Sequence, residues 1–345
     1  MRRCLILLLL PVWLCTCGPA DDEAVVHETF DRQEMLEHWA NDLIVPAYGD
    51  LASKANELAT AAAEYRAGAS AERLRDVRER FEGAYLSWQR VAPYMTGPGE
   101  ELRLTEQLNI YPTDTTRLRA KDGADLALPS STDIQGFPAL DYLLYGPIVQ
   151  ADYAASIDRI ASRIAELARS AADRWQDDDY RRAYVAASGN SATASVDRTV
   201  NDFLFWYEKH LRAGKVGIPA GVFSSRPNAQ LAEAPYHGNL SKALFLEGLA
   251  AGERFFGSEP GLQDYLDALD VRRDGQLLSQ RIKQNFTSAR QRATDLEDDF
   301  ASQVHRDNRA MLELYDALQA NVILLKVDML QALGINVDFV DADGD

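Results

Sequence analysis

The stretch IDRIASRIAELARSAADRW, residues 157–175, places apolar side chains at Ile157, Ile160, Ile164, Leu167, Ala171 and Trp175. Steps of three and four residues bring these onto one face of an α-helix, and the run is too long for a strand. Met311, Tyr315, Leu318, Val322, Leu325, Met329 and Leu333 repeat the pattern near the end of the chain. Comparable stripes lie at 31–66, 71–91, 194–213, 239–256 and 275–299, and no run alternates apolar and polar residues long enough to argue a sheet. The expected fold class is all-α.

Between the stripes the composition turns to helix breakers. Residues 93–100 (PYMTGPGE), 111–137 with Pro112 and Pro129, and 214–238 with its prolines and glycines are expected not to be regular helix. Loops this long in a compact domain tend to build sites or pack across an interface. The break at Gly146-Pro147 is the best candidate boundary, giving an N-terminal helical bundle at 31–146 and a C-terminal one at 147–345. LDYLLYG at 140–146 against LAAGERFFG at 249–257 is too faint an echo to argue duplication.

The start of the chain reads as a targeting segment. Arg2 and Arg3 precede an apolar run from Leu5 to Cys15 that is too short to span a bilayer. Residues 1–17 end in Leu14-Cys15-Thr16-Cys17, which resembles a bacterial lipobox, and 18–30 form a polar leader. Cys17 is therefore the expected lipidation site, with simple secretion as the rival, and the only membrane attachment expected is through that anchor. Cys4, Cys15 and Cys17 are the only cysteines, so the folded body has no disulfide, thiolate zinc site or cysteine nucleophile. The formal net charge of −17 argues against a nucleic-acid surface, which needs basic patches.

Within DIQGFPALDYLLYG, residues 133–146, Gly136 allows a sharp turn and Pro138 suits a first helical turn. Asp141 then has two readings: an acid favoured near the helix N-terminus, or a ligand or acceptor facing a cleft. Tyr111, Asp114, Arg226 and Glu233 lie in the two long loops, where they would either build a binding site or pack an interface. His237, in the Pro235–Asn239 segment, is the histidine of most interest; His27, His38, His210 and His305 form no His-x-x-x-His pair with it or with one another. Neither a Gly-x-Ser-x-Gly elbow nor a phosphate-binding glycine motif is present. The tail acids Asp338, Asp341, Asp343 and Asp345 fall short of a calcium loop, which needs a closing Glu.

Several segments together resemble the imelysin-like proteins: NDLIVPAY (41–48), Trp88 leading to Gly97-Pro98, Tyr111-Pro112-Thr113-Asp114, GFPALDYLLYG (136–146), GIPAG (217–221), EAPYHGN (233–239) and the tail from residue 325. The resemblance runs from about residue 35 to the end. It implies a bacterial envelope protein built of two four-helix-bundle-like halves with a site between them. Members have been classed as metallopeptidases, and relatives are associated with iron regulation and uptake. The family signature, Gly-x-His-x-x-Glu, would let two side chains three apart share a cation. Here Gly136 is kept, Pro138 replaces the histidine and Asp141 replaces the glutamate. Asp141 is the one metal ligand the signature leaves, for a divalent cation or iron. The resulting expectation is an outer-membrane lipoprotein facing the periplasm that binds a small ligand, a cation or a partner protein of metal uptake. A metal-dependent peptidase and a non-binding scaffold are the alternatives.

Overall fold

A computed structural model describes residues 30–120 and 123–339. The leader cysteines, His27 and the tail acids from Asp341 onward lie outside them. The first long helix is continuous from α1 (Arg32–His38) through a wide π-helical turn, Trp39–Ile44, into α2 (Val45–Ala67). Asp31 starts it by accepting from the backbone N–H groups of Gln33 and Glu34. Ser70 caps α3 (Ala71–Val91) in the same way. Three short helices follow, α4 (Pro98–Glu101), α5 (Leu104–Leu108) and α6 (Thr115–Ala120), then α7 (Gly136–Tyr145).

The opening stripe is α8 (Ala154–Gln176), with all six of its marker residues buried. Instead of starting a new unit after Gly146, α8 lies along α2 and against α7. The four helices α2, α3, α7 and α8 thus pack as one layer group, and the Gly146 break is a turn inside it. After α9 (Asp178–Ala186) and α10 (Ser195–Phe205) the helix continues as a π-helical segment, Trp206–Gly217, into α11 (Ile218–Ala220).

That continuation corrects the loop expected from residue 214. Gly214 and Gly217 are not breakers here but close-approach positions. A Cβ on Gly217 would come within 2.8 Å of the rings of Phe223 and Tyr315, and one on Gly214 within 3.1 Å of the Tyr111 hydroxyl. The remaining helical segments are α12 (Ser241–Gly257), α13 (Leu262–Ala268), α14 (Leu278–Thr294), α15 (Phe300–Ile323), a third π-helical turn at Leu324–Met329, and α16 (Leu330–Leu333).

Helix α14 also starts three residues later than the expected 275. Arg272–Arg273 and Gln276–Leu277 instead pair as a small antiparallel hairpin across Asp274 and Gly275, both with positive φ, the usual chemistry of a two-residue turn. It is the only sheet among the described residues. The second layer group is α12, α14, α15 and the Trp206–Gly217 segment, and α3 packing on α12 joins it to the first. Trp39, Tyr94, Phe203 and Phe255 interlock at this junction, with Phe255 4.6 Å from Trp39 and 4.8 Å from Phe203 between ring centres. No helix among the described residues is long and apolar enough to cross a membrane.

Candidate functional site

The junction between the groups holds a buried polar cluster centred on Glu233, which is 2% exposed. Its Oε1 accepts from the Asn109 amide at 2.8 Å, the Tyr85 hydroxyl at 3.1 Å and the Gln89 amide at 3.4 Å. Its Oε2 takes the Lys215 ammonium, itself buried. A carboxylate so deep in the protein persists because charge and neutral donors compensate it from several sides. Burial nonetheless holds the Lys215 pKa below the ordinary lysine range, with Glu233 opposing that shift.

The elements explain the convergence. Glu82, Tyr85 and Gln89 succeed one another at three and four residues on α3, so they share a face. Trp206, His210 and Lys215 are four and five apart, a spacing that drifts around an ordinary α-helix but stays on one side of a π-helix with its i→i+5 bonds. All three line a small cavity with Trp88, Gln89, Asn109 and Tyr111, holding about 10 Å³ of free space, enough for roughly one water. His210 is driven to a pKa of about 4 by burial, with Lys215 adding to the shift, and is neutral at pH 7.

A larger cleft of about 360 Å³ lies on the outer side of the same wall. Ala92, Thr105, Trp206 and His210 face both spaces. Its volume falls in the range of small-molecule pockets, about 300–1,000 Å³.

Next to Glu233, the strand of chain from 233 to 238 is pinned by Asp141. Asp141 is fully buried, and its two carboxylate oxygens each accept a backbone N–H at 3.0 Å, from Tyr236 and from His237. Burial raises its pKa to about 7, against the lowering effect of those two bonds. Asp141 is the sixth residue of α7, too far from its start for the helix-end reading. The His237 ring turns the other way. Its Nε2 lies 2.7 Å from Glu82 Oε1, which also accepts from Tyr145 at 3.1 Å.

Gly136 does provide the sharp entry: φ is +72°, and a Cβ would sit 2.3 Å from the Leu108 carbonyl oxygen. Pro138 lies buried in the first turn of α7, and Phe137 beside it stacks on Tyr85 at 4.6 Å. Tyr111 lines the inner cavity, with burial and Glu233 both pushing its hydroxyl pKa up.

The remaining two candidates stay outside. Asp114 caps α6 through the N–H groups of Thr116 and Arg117. Arg226 is exposed in the turn after α11, where its carbonyl accepts from Ser224. Residues that the sequence reading passed over include Glu82, Tyr85, Gln89, Asn109, Tyr145 and Lys215. The spacing of 82, 85 and 89 along α3 was a usable signal, whereas the 206–210–215 spacing only makes sense once the π-helical winding is known.

The model of the Imelysin family matches residues 44–325. The chain belongs to the imelysin family. Solved imelysin structures share the fold: an imelysin-like protein from Psychrobacter arcticum superposes with a TM-score of 0.72 at 21% identity, covering 91% of this chain and 98% of that one. A protein from Parabacteroides distasonis described as an iron-regulated protein A precursor gives 0.71 at 13% identity, covering 86% and 94%. No curated protein matches the chain.

The donor set around Asp141 does not fit a cation site: Pro138 offers no lone pair, each oxygen of Asp141 already accepts an N–H group, and no three His, Cys, Asp or Glu side chains among the described residues stand together as ligands. Asp141 instead clamps the 233–238 segment.

Proposed function

We propose that this imelysin is an exported lipoprotein of the cell envelope that binds a small molecule without hydrolysing anything, in a setting of metal acquisition. The observation that carries the reading is the 360 Å³ cleft, which shares Ala92, Thr105, Trp206 and His210 with the small inner cavity whose Gln89, Asn109 and Lys215 hold Glu233. An open space backed by fixed polar groups is what recognition needs. Hydrolysis by a bound metal needs several protein ligands and a free coordination position, and no three His, Cys, Asp or Glu side chains among the described residues are grouped to hold one. The iron-regulated neighbour and the lipobox-like leader support the metal-uptake setting and the envelope location.

Elemental analysis of the purified protein, with a peptidase assay before and after chelation, tests this. We expect less than stoichiometric zinc and no chelator-sensitive cleavage. Stoichiometric zinc together with cleavage that a chelator abolishes would replace the binding reading by the peptidase one.

A further inference from the structure

The outer cleft has a chemical character that selects its occupant. Trp206, Phe205, Ile110 and Met95 give it an apolar lining. Phe205 is 40% exposed there, and its ring meets that of His210 edge-on at 5.4 Å. The charged side chains that line it are all acidic: Glu100, Glu106 and Asp202. Glu100 is already paired with Arg198 at 2.7 Å. Asp202 is different, because its Oδ2 is buried without any hydrogen-bond partner.

Asp202 lines this apolar, aromatic cleft, and a carboxylate there with a buried, unpartnered oxygen is costly to keep unless something completes it. The environment shows that cost. Burial first, then the nearby Glu100 and Asp338, raise the Asp202 pKa to about 7, against the opposing pull of Arg198. The other titratable neighbours are the phenols of Tyr48 and Tyr184, both raised by burial and by Asp202 itself, and the neutral His210 across the cleft. Arg198 is the cation that acts on Asp202, and its guanidinium is already paired with Glu100.

Resting on the reading of the cleft as a ligand site, we propose that it takes an organic ammonium ion with an apolar body, the ammonium seated at Asp202 and the body laid against Trp206 and Phe205. The carboxylate provides a charge-assisted hydrogen bond and the rings bury the apolar body. A bare divalent cation is a poorer fit, since no three donor side chains among the described residues are grouped to hold one. An anion would meet three carboxylates.

Calorimetric titration with three probes that share a 2-phenylethyl body and differ in the charge of the head group tests the proposal: 2-phenylethylammonium, 2-phenylethanol and 3-phenylpropanoate. The ammonium is expected to bind at one site at least about tenfold more tightly than the alcohol, as a charged hydrogen bond in a desolvated place implies. Asp202→Asn should remove that preference while leaving the alcohol unchanged.

The unmodified protein gives an independent readout that no folding defect can imitate. Below pH 7 the acid is protonated, so ammonium affinity should climb about tenfold per pH unit from pH 5 towards 7 and level off above, with a proton released on binding. Equal or tighter binding of the alcohol or the anion, no binding of any probe, or an affinity flat in pH each overturns the ammonium assignment. The zinc and peptidase assay above judges the binding reading separately.

Discussion

At the scale of single residues, Asp141 shows how a buried acid can organise a distant segment of chain. Its two oxygens each accept one backbone N–H, from Tyr236 and from His237. Replacing it by Ala leaves two buried donors without acceptors, at about 1–3 kcal/mol each. We expect Asp141→Ala to lower the melting temperature by several degrees with far-UV circular dichroism at low temperature unchanged. Hydrogen exchange at the Tyr236 and His237 amides should accelerate far more than elsewhere. If those two amides remain protected while the melting temperature is unchanged, the clamp is not formed. Gly136 and Pro138 were legible in the sequence, because each follows from local backbone chemistry. The partners of Asp141 were not legible: they come from 95 and 96 residues away, and no local pattern announces a contact of that span.

At the scale of elements, helices were read well wherever the 3.6-residue repeat holds. The expected 71–91 is the observed Ala71–Val91, and 31–66 is covered by one continuous run from Arg32 to Ala67. The repeat loses its information where the winding changes. Two of the three π-helical segments end just before a proline, Pro46 and Pro219, each held near the start of the α-helix that follows. A wide turn re-routes backbone bonding there and lets a helix pass through a proline that would otherwise stop it. The glycines that looked like stops are contact points. Gly217→Ala forces a methyl into the Phe223 and Tyr315 rings, for which we expect a loss of about 1–3 kcal/mol by chemical denaturation. Gly136→Ala should cost more, since it adds a positive-φ penalty to a clash with backbone that has no rotamer to move to. A Gly217→Ala variant as stable as the parent would show that the helix ends earlier than described.

At the scale of the whole molecule, the all-α class was legible from periodicity alone, while the grouping of helices was not. Nothing in residues 147–176 says that α8 returns to α2; that follows from which apolar stripes are complementary in three dimensions. Two buried acids also give the molecule a pH signature. Asp141 and Asp202 each titrate at about 7 in the folded protein, against about 3.9 when unfolded. Over that interval the native state keeps protons that the unfolded chain has released. Their contribution to stability is therefore full below pH 4, declines as pH rises to 7, and is flat beyond. Other groups titrate as well, so the clean measurement is a difference. The stability of the parent minus that of Asp202→Asn, followed by urea unfolding from pH 4 to 8, should fall with pH and then level. A difference that rises over the interval would mean that Asp202 is ionised in the fold.

The wide winding of Trp206–Gly217 makes the distance between His210 and Lys215 a matter of counting. Removing a single residue from that segment would swing everything beyond it by about 100° around the axis, as one residue is worth in an α-helix. Either the lysine would leave Glu233 or the imidazole would leave the cleft wall. The inner salt link and the outer rim are thus geared to one another through twelve residues of backbone, and neither can be redesigned alone.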